Sequence, residues 1–87
     1  MDKIFKALAS EPRRRILLHL IEGPMTVSEI ADNFEMATPS VSKHLALLKE
    51  AGLVRDQKQG QYVFYSLQPA RLKGEIDAFL AQLRKQG

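Results

Sequence analysis

The sequence turns on TPSVSKHLALL, residues 38–48. Thr38 suits a helix N-cap and Pro39 the first helical position, so a helix is expected to open here and to end at Ala51-Gly52. At helical spacing Val41, Leu45, Leu48 and Gly52 fall within about 40° of one direction and define a core-facing side. Pro39, Lys43, Ala46 and Glu50 fall opposite, with Ser40, Ser42 and His44 on the flanks. The outer face near the helix start is therefore small, polar and cationic, with Lys43 its one long side chain.

Upstream, Thr26-Val27-Ser28-Glu29 reads as a capping box opening a short helix over 27–34, with Val27, Ile30, Ala31 and Phe34 at core spacing. A short helix, a turn of a few residues and a second helix is the layout of a helix-turn-helix. Downstream, LVRD at 53–56 and YVFYSL at 62–67 are rich in strand formers and flank a polar, glycine-containing turn at 57–61. A hairpin placed there makes a winged helix-turn-helix. Residues 2–9 form an amphipathic segment. Ser10 can cap a further helix with Pro12 in its first turn, stopped by Gly23-Pro24, and Pro69 begins a last helix to about residue 85. The expected fold is mainly α with a small β-hairpin, in the order ααααββα. It occupies one domain, 1–87, with the helix-turn-helix at 26–52 and the wing at 53–67.

Composition narrows the function. Eighty-seven residues suffice for one small domain, and a chain of this size often completes its core by oligomerising. Cysteine is absent, which excludes disulfides, thiolate metal sites and cysteine nucleophiles together. No apolar run resembles a signal peptide or membrane span, so a cytoplasmic protein is expected. The net charge of +3 suits a nucleic-acid partner without demanding one.

Ser40, Ser42, Lys43 and His44 crowd together in a way that invites a chemical reading. Ser40-Val41-Ser42-Lys43 matches the S-x-x-K pattern of β-lactam-binding enzymes, but its companion motifs are missing and the chain is too short for the second domain. His44 and His19 are the only histidines, on different helices, and make a poor metal pair. Neither an enzyme nor a cofactor is expected. A helix entering a DNA major groove needs what this face offers: small residues for close approach, hydroxyls, and a cation. The bland reading of these residues is a solvated helix face, with His44 packed at its edge. Lys58, beside Gln57 and Gln59 in the turn, suits a backbone or minor-groove contact, although most hairpin turns are simply polar. Arg13-Arg14-Arg15 spans about 200° of helix, so at most two of the three can face one partner.

With these residues in view, the sequence resembles the ArsR/SmtB family of bacterial winged-helix repressors. The resemblance lies in FKALASEPRRRILLHL (5–20), MTVSEIADNF (25–34), TPSVSKHLALLKEAGLV (38–54) and RDQKQGQYVFYSL (55–67). It implies a homodimer that binds double-stranded DNA at an inverted-repeat operator and represses its own transcription unit. By position it assigns DNA contacts to Thr38, Ser40, Ser42, Lys43 and His44 in the helix and to Lys58, Gln59 and Gln61 in the wing. The family's familiar metal-sensing ligands are not matched: 26–31 lacks cysteine, and 70–87 holds Glu75 and Asp77 but no histidine. No metal site is expected and the inducer is unidentified.

The dimer has independent support in two apolar stripes, Ile4, Phe5 and Leu8 near the start and Leu72, Ile76, Phe79, Leu80 and Leu83 in the last helix. Residues 1–9 and 69–86 are therefore expected to form the dimer surface, the alternative being that each stripe packs within its own chain. Two other functions remain open: a winged-helix module that docks a protein, and a regulator responding to a small molecule.

Overall fold

The computed structural model describes residues 2–86, without the side chain of Gln86; Met1 and Gly87, the ends of the expected domain, lie outside the described residues. Helices α1 (Asp2–Leu8), α2 (Glu11–His19), α3 (Val27–Phe34) and α4 (Thr38–Glu50) precede strands β1 (Val54–Gln59) and β2 (Tyr62–Leu67), and α5 (Pro69–Gln86) closes the chain. The element order is the expected one.

Local chemistry explains the boundaries. The Ser10 hydroxyl accepts the Arg13 N–H at 3.4 Å and starts α2, with Pro12 in the first turn where no donor is needed. A single 3-10 turn, Leu20–Glu22, prolongs α2 before Gly23 redirects the chain at φ 143°. The capping box forms: Thr26 Oγ1 accepts the Glu29 N–H at 3.2 Å, and Glu29 Oε1 accepts the Thr26 N–H at 2.9 Å. Glu35 ends α3 in the left-handed conformation at φ 53°, and the next N–H, of Met36, returns to the Ala31 carbonyl at 3.1 Å. This reversal leaves only residues 35–37 between α3 and α4, which fixes the two helices as a tight pair.

The start of α4 differs from the expectation. Ala37 is the N-cap, with no side-chain hydrogen bond, so Thr38 is already helical and Pro39 sits one position further in. The Ala37 carbonyl accepts the N–H groups of Ser40 and Val41 at 3.0 and 3.2 Å, and proline costs nothing at position 39, where an N–H would have no intrahelical acceptor. The Thr38 hydroxyl is accordingly not engaged in capping.

The wing also differs. β1 runs through Gln57, Lys58 and Gln59, leaving a two-residue turn of Gly60 and Gln61 instead of a five-residue one. Gly60 at φ 63° followed by a residue of negative φ is the pattern of a II′ hairpin turn, whose twist matches the strands. Polar residues pair readily here because the ladder is made by backbone groups and both faces of the outer wing meet solvent. Leu53 precedes β1, where its carbonyl accepts the Gln68 N–H at 2.8 Å and closes the wing base. Met25 pairs with Tyr65 through two backbone bonds of 3.0 and 2.8 Å, tying the start of α3 to the wing.

Ile16, Ile30, Val41, Leu45 and Leu48 are fully buried and form the centre of the core, joined by Leu17, Leu20, Leu53 and Val54. Ile4, expected at a dimer surface, is 2% exposed and belongs to this same core. On so short a helix one face must pack on the chain itself, and Ile4 with Ala7 forms that face. Leu8 and Leu72 are half-buried against the core, whereas Phe5, Phe79, Leu80 and Leu83 remain exposed. α5 projects from the body: the extents are 49 × 24 × 20 Å and the radius of gyration is 14.2 Å. A compact chain of this length would give about 12 Å. Phe79 meets the Phe5 ring edge-on at 5.6 Å, the one aromatic link between α5 and α1 among the described residues.

Candidate nucleic-acid interface

The interface begins with how α4 is held. Val41, Leu45 and Leu48 anchor one side of the helix. One flank carries Lys49, whose Nζ lies 3.0 Å from Asp56 Oδ2 on β1, so this side faces the wing. The other carries His44, Leu47 and Glu50, which face α1 and the start of α2. Between the flanks Pro39, Lys43 and Ala46 point outward and are exposed, as are Thr38, Ser40 and Ser42 in the first two turns. Small residues thus stand proud of a rigid base, with no bulky side chain to block approach to a groove.

His44 is placed differently from its neighbours. It is half-buried, and its Nδ1 lies 3.4 Å from Arg13 Nη1. The same guanidinium donates from Nε to the Ala7 carbonyl at 2.9 Å and from Nη2 to the Lys6 carbonyl at 3.0 Å. A cation is favourable there, at the negative end of α1. Arg13 therefore joins α1, α2 and α4 at one point. Desolvation, and secondarily the Arg13 charge, hold the His44 pKa below its ordinary value of 6.5.

That shift has a measurable consequence. Below about pH 6.5 the unfolded chain protonates His44 more readily than the folded one, so the unfolded state binds more protons and stability falls as pH falls. Urea midpoints taken from pH 7.5 down to 5.5 should decline, and His44→Gln should flatten part of that decline. An unchanged pH dependence in the variant would exclude His44 as its source.

The other two arginines are also engaged in structure. Arg14 Nη1 donates to the Leu8 carbonyl, and the Arg15 guanidinium lies 5.2 Å from the centroid of the Phe34 ring. His19 packs edge-on against that ring at 5.3 Å and lies 3.9 Å from Glu22. The three arginines are thus divided among three local tasks. Sequence spacing limited how many could face one partner, but the carbonyls that Arg13 and Arg14 reach depend on the angle between α1 and α2.

In the wing, strand alternation separates the candidates. Val54, Asp56 and Lys58 share the face that includes the core-packed Tyr65 and Leu67 and turns toward α4. Gln57 and Gln59 lie on the reverse face with Tyr62 and Phe64, whose ring centroids are 6.4 Å apart. Gln61 occupies the turn itself. Lys58 and Gln59 therefore cannot meet the same surface through one face of the hairpin, although both reach a partner at its edge.

A second surface went unnoticed in the sequence. Leu18 and Ile21, on the outer side of α2 and its 3-10 extension, are 64% and 66% exposed. They border an apolar groove of about 290 Å³ that continues to Leu8, Leu53, Leu67 and Leu72. Their helical spacing gives no sign of exposure, because the run Ile16-Leu17-Leu18 is apolar on all sides. Among the described residues no group of three or more His, Asp or Glu side chains is arranged to hold a metal ion. No described helix is long and apolar enough to cross a membrane.

A tight helix pair with an exposed, small-residue second helix, followed directly by a two-stranded hairpin, defines a winged helix-turn-helix protein. Comparison with known proteins makes this specific. Residues 10–56 match the bacterial regulatory protein, arsR family. The transcriptional repressor SdpR of Bacillus subtilis (strain 168) is 39% identical over 85 residues, covering 98% of this chain and 94% of its own. A crystal structure of an ArsR-family transcriptional regulator superimposes with a TM-score of 0.83 at 38% identity, over 98% of this chain and 87% of that one. The homodimeric winged helix-turn-helix DNA-binding domain of a Mycobacterium bovis protein, described as a possible ArsR-family transcriptional regulator, gives a TM-score of 0.76 at 28% identity, over 99% of this chain and 82% of that one. The chain belongs to the arsR family of bacterial regulatory proteins and is a winged-helix transcriptional regulator.

Proposed function

We propose that the chain is one DNA-binding domain acting as a homodimeric, autoregulatory repressor on an inverted-repeat operator in the bacterial cytoplasm. The carrying observation is the outer face of the first two turns of α4, which is exposed and presents the small hydroxyl residues Thr38, Ser40 and Ser42 together with Lys43. Hydroxyls and a cation on such a face suit base edges and phosphates. Two such helices, one per subunit, enter successive major grooves about 34 Å apart. Thr38, Ser40, Ser42 and Lys43 meet base edges or phosphates, and Lys58, Gln59 and Gln61 follow the backbone at the wing edge. SdpR is a transcriptional repressor, and the M. bovis domain is homodimeric. The dimer surface consists of Phe5, Leu8, Leu72, Ile76, Phe79, Leu80 and Leu83, with exposed Leu18 and Ile21 beside it. Ile4 supports that surface from within.

Duplexes recovered from a random-sequence pool, and the region upstream of the protein's own gene, supply the test. Lys43→Ala and Ser40→Ala should reduce discrimination between selected and scrambled duplexes, with roughly 1–3 kcal/mol lost at Lys43 if it holds a base edge. Lys58→Ala should weaken all duplexes alike and lower the slope of log affinity against log salt by about 0.9. Unchanged affinity in both α4 variants sinks the assignment. Indifference to sequence would favour a protein-docking module.

A further inference from the structure

His44 stands apart from the other α4 candidates because a neighbouring helix dictates its hydrogen-bonding state. An arginine side chain only donates, and Arg13 Nη1 lies 3.4 Å from His44 Nδ1. Nδ1 must then be the accepting nitrogen, and in a neutral ring the proton resides on Nε2. Arg13 has little freedom to turn away, since two α1 carbonyls hold its Nε and Nη2 at 2.9 and 3.0 Å. Among the described residues Nε2 has no hydrogen-bond partner, and no buried side-chain nitrogen or oxygen lacks one. Nε2 therefore reaches solvent. The ring's geometry directs it away from Arg13, on the flank where Ser40 precedes His44 by one turn.

The surroundings of the ring favour the same state. Burial first, and the Arg13 charge second, disfavour a positive charge on the imidazole, in line with its lowered pKa.

We infer that Arg13 is a positioning residue for DNA recognition: it holds His44 in the Nε2–H form, so that His44 meets the duplex as a neutral hydrogen-bond donor beside Ser40. This rests on the reading of α4 as the helix that enters the groove. The acceptor is a phosphate oxygen or a base-edge oxygen or nitrogen, which the single donor serves equally. The proton on Nε2 stays in place across neutral pH, so this contact would not fade as the pH rises above the ordinary histidine range.

Two measurements test it on the full chain. Long-range proton–nitrogen NMR spectra of the free protein should show the Nε2–H tautomer in the wild type. Arg13→Gln should shift the His44 titration toward the ordinary histidine range and mix the tautomers. Affinity for the selected duplex is then compared for two isosteres. His44→Gln places an amide donor near the Nε2 position and should hold affinity within about threefold, whereas His44→Asn, which imitates Nδ1, should lose about tenfold, the worth of one hydrogen bond. A loss equal across sequences identifies phosphate, and a loss confined to one base pair identifies a base edge; either supports the inference. An Nδ1–H tautomer, or equal affinities for the two isosteres, overturns it. If Lys43→Ala and Ser40→Ala still weaken binding in that case, the reading of α4 survives and only the role of His44 falls. Thermal melts of every variant separate a lost contact from a lost fold.

Discussion

Replacing Leu80 and Leu83 together by aspartate is expected to leave the winged helix folded while dissociating the dimer and weakening operator binding by at least about 100-fold, as loss of linkage between two half-sites implies. Both side chains are open in the isolated chain, at 41% and 52% exposure, so the substitution removes no core contact. In a two-fold dimer each change occurs twice. Burying a leucine contributes about 1.5–3 kcal/mol, so four leucines represent roughly 6–12 kcal/mol before the cost of placing carboxylates in an apolar seam. A shift of about 8 kcal/mol carries a dissociation constant from nanomolar to millimolar. Binding of one half-site no longer raises the effective concentration at the second once the subunits part. Sedimentation equilibrium reads the oligomer and fluorescence anisotropy the affinity. A variant that stays dimeric, or a monomer that keeps full affinity, would show that α5 does not carry assembly. Phe79 is left intact deliberately, since its edge contact with Phe5 also orients α5 on its own chain.

Most of the fold was legible because its punctuation is written in short-range chemistry. Ser10, the Thr26–Glu29 box and the Gly60 turn each satisfy specific backbone groups within a few residues, and each appears where its residue type demands. The expectations that shifted did so where two local signals compete or where a neighbour decides. Thr38 is a good cap, yet Ala37 takes that place because Pro39 tolerates either of the first helical positions. Gln57 to Gln59 look like turn residues by composition, but hairpin pairing continues as far as the glycine that can reverse it. Ile4 and Phe5 are adjacent in an apolar stripe, and only the packing angle of α1 sends the first inward and the second outward.

The site was legible in part for the same reason. Exposure of Ser40, Ser42 and Lys43 follows from the period of α4 alone. The engagement of His44 by Arg13 spans 31 positions and the orientation of three helices, which no spacing rule encodes. Leu18 and Ile21 escaped notice because an all-apolar run carries no face. They lie beside the groove that meets Leu8 and Leu72, which widens the surface available to a second copy beyond the two expected stripes.

Leu45→Ala is the expected second large effect, and it separates the anchor of α4 from its reading face. Leu45 is wholly inaccessible and sits between Val41 and Leu48 on the buried side of the helix. Truncating a leucine in such a site costs about 2–5 kcal/mol, because the cavity adds to the lost transfer energy. A chain of this length has roughly 4–13 kcal/mol in total, at about 0.05–0.15 kcal/mol per residue. The melting temperature should fall by on the order of 15 °C or more. Operator affinity measured well below that temperature should fall by no more than the fraction of molecules unfolded, since the exposed atoms of Ser40, Ser42 and Lys43 are unchanged. Lys43→Ala should do the reverse, preserving the melt and losing discrimination, because its side chain is exposed and supports nothing beneath it. Should Leu45→Ala instead abolish binding while the protein remains fully folded, the anchor would be setting the angle of α4 in the groove as well as its stability. A double variant resolves the two cases: additive losses mean that fold and recognition are independent, and a coupling above about 0.5 kcal/mol means that the core positions the reading face.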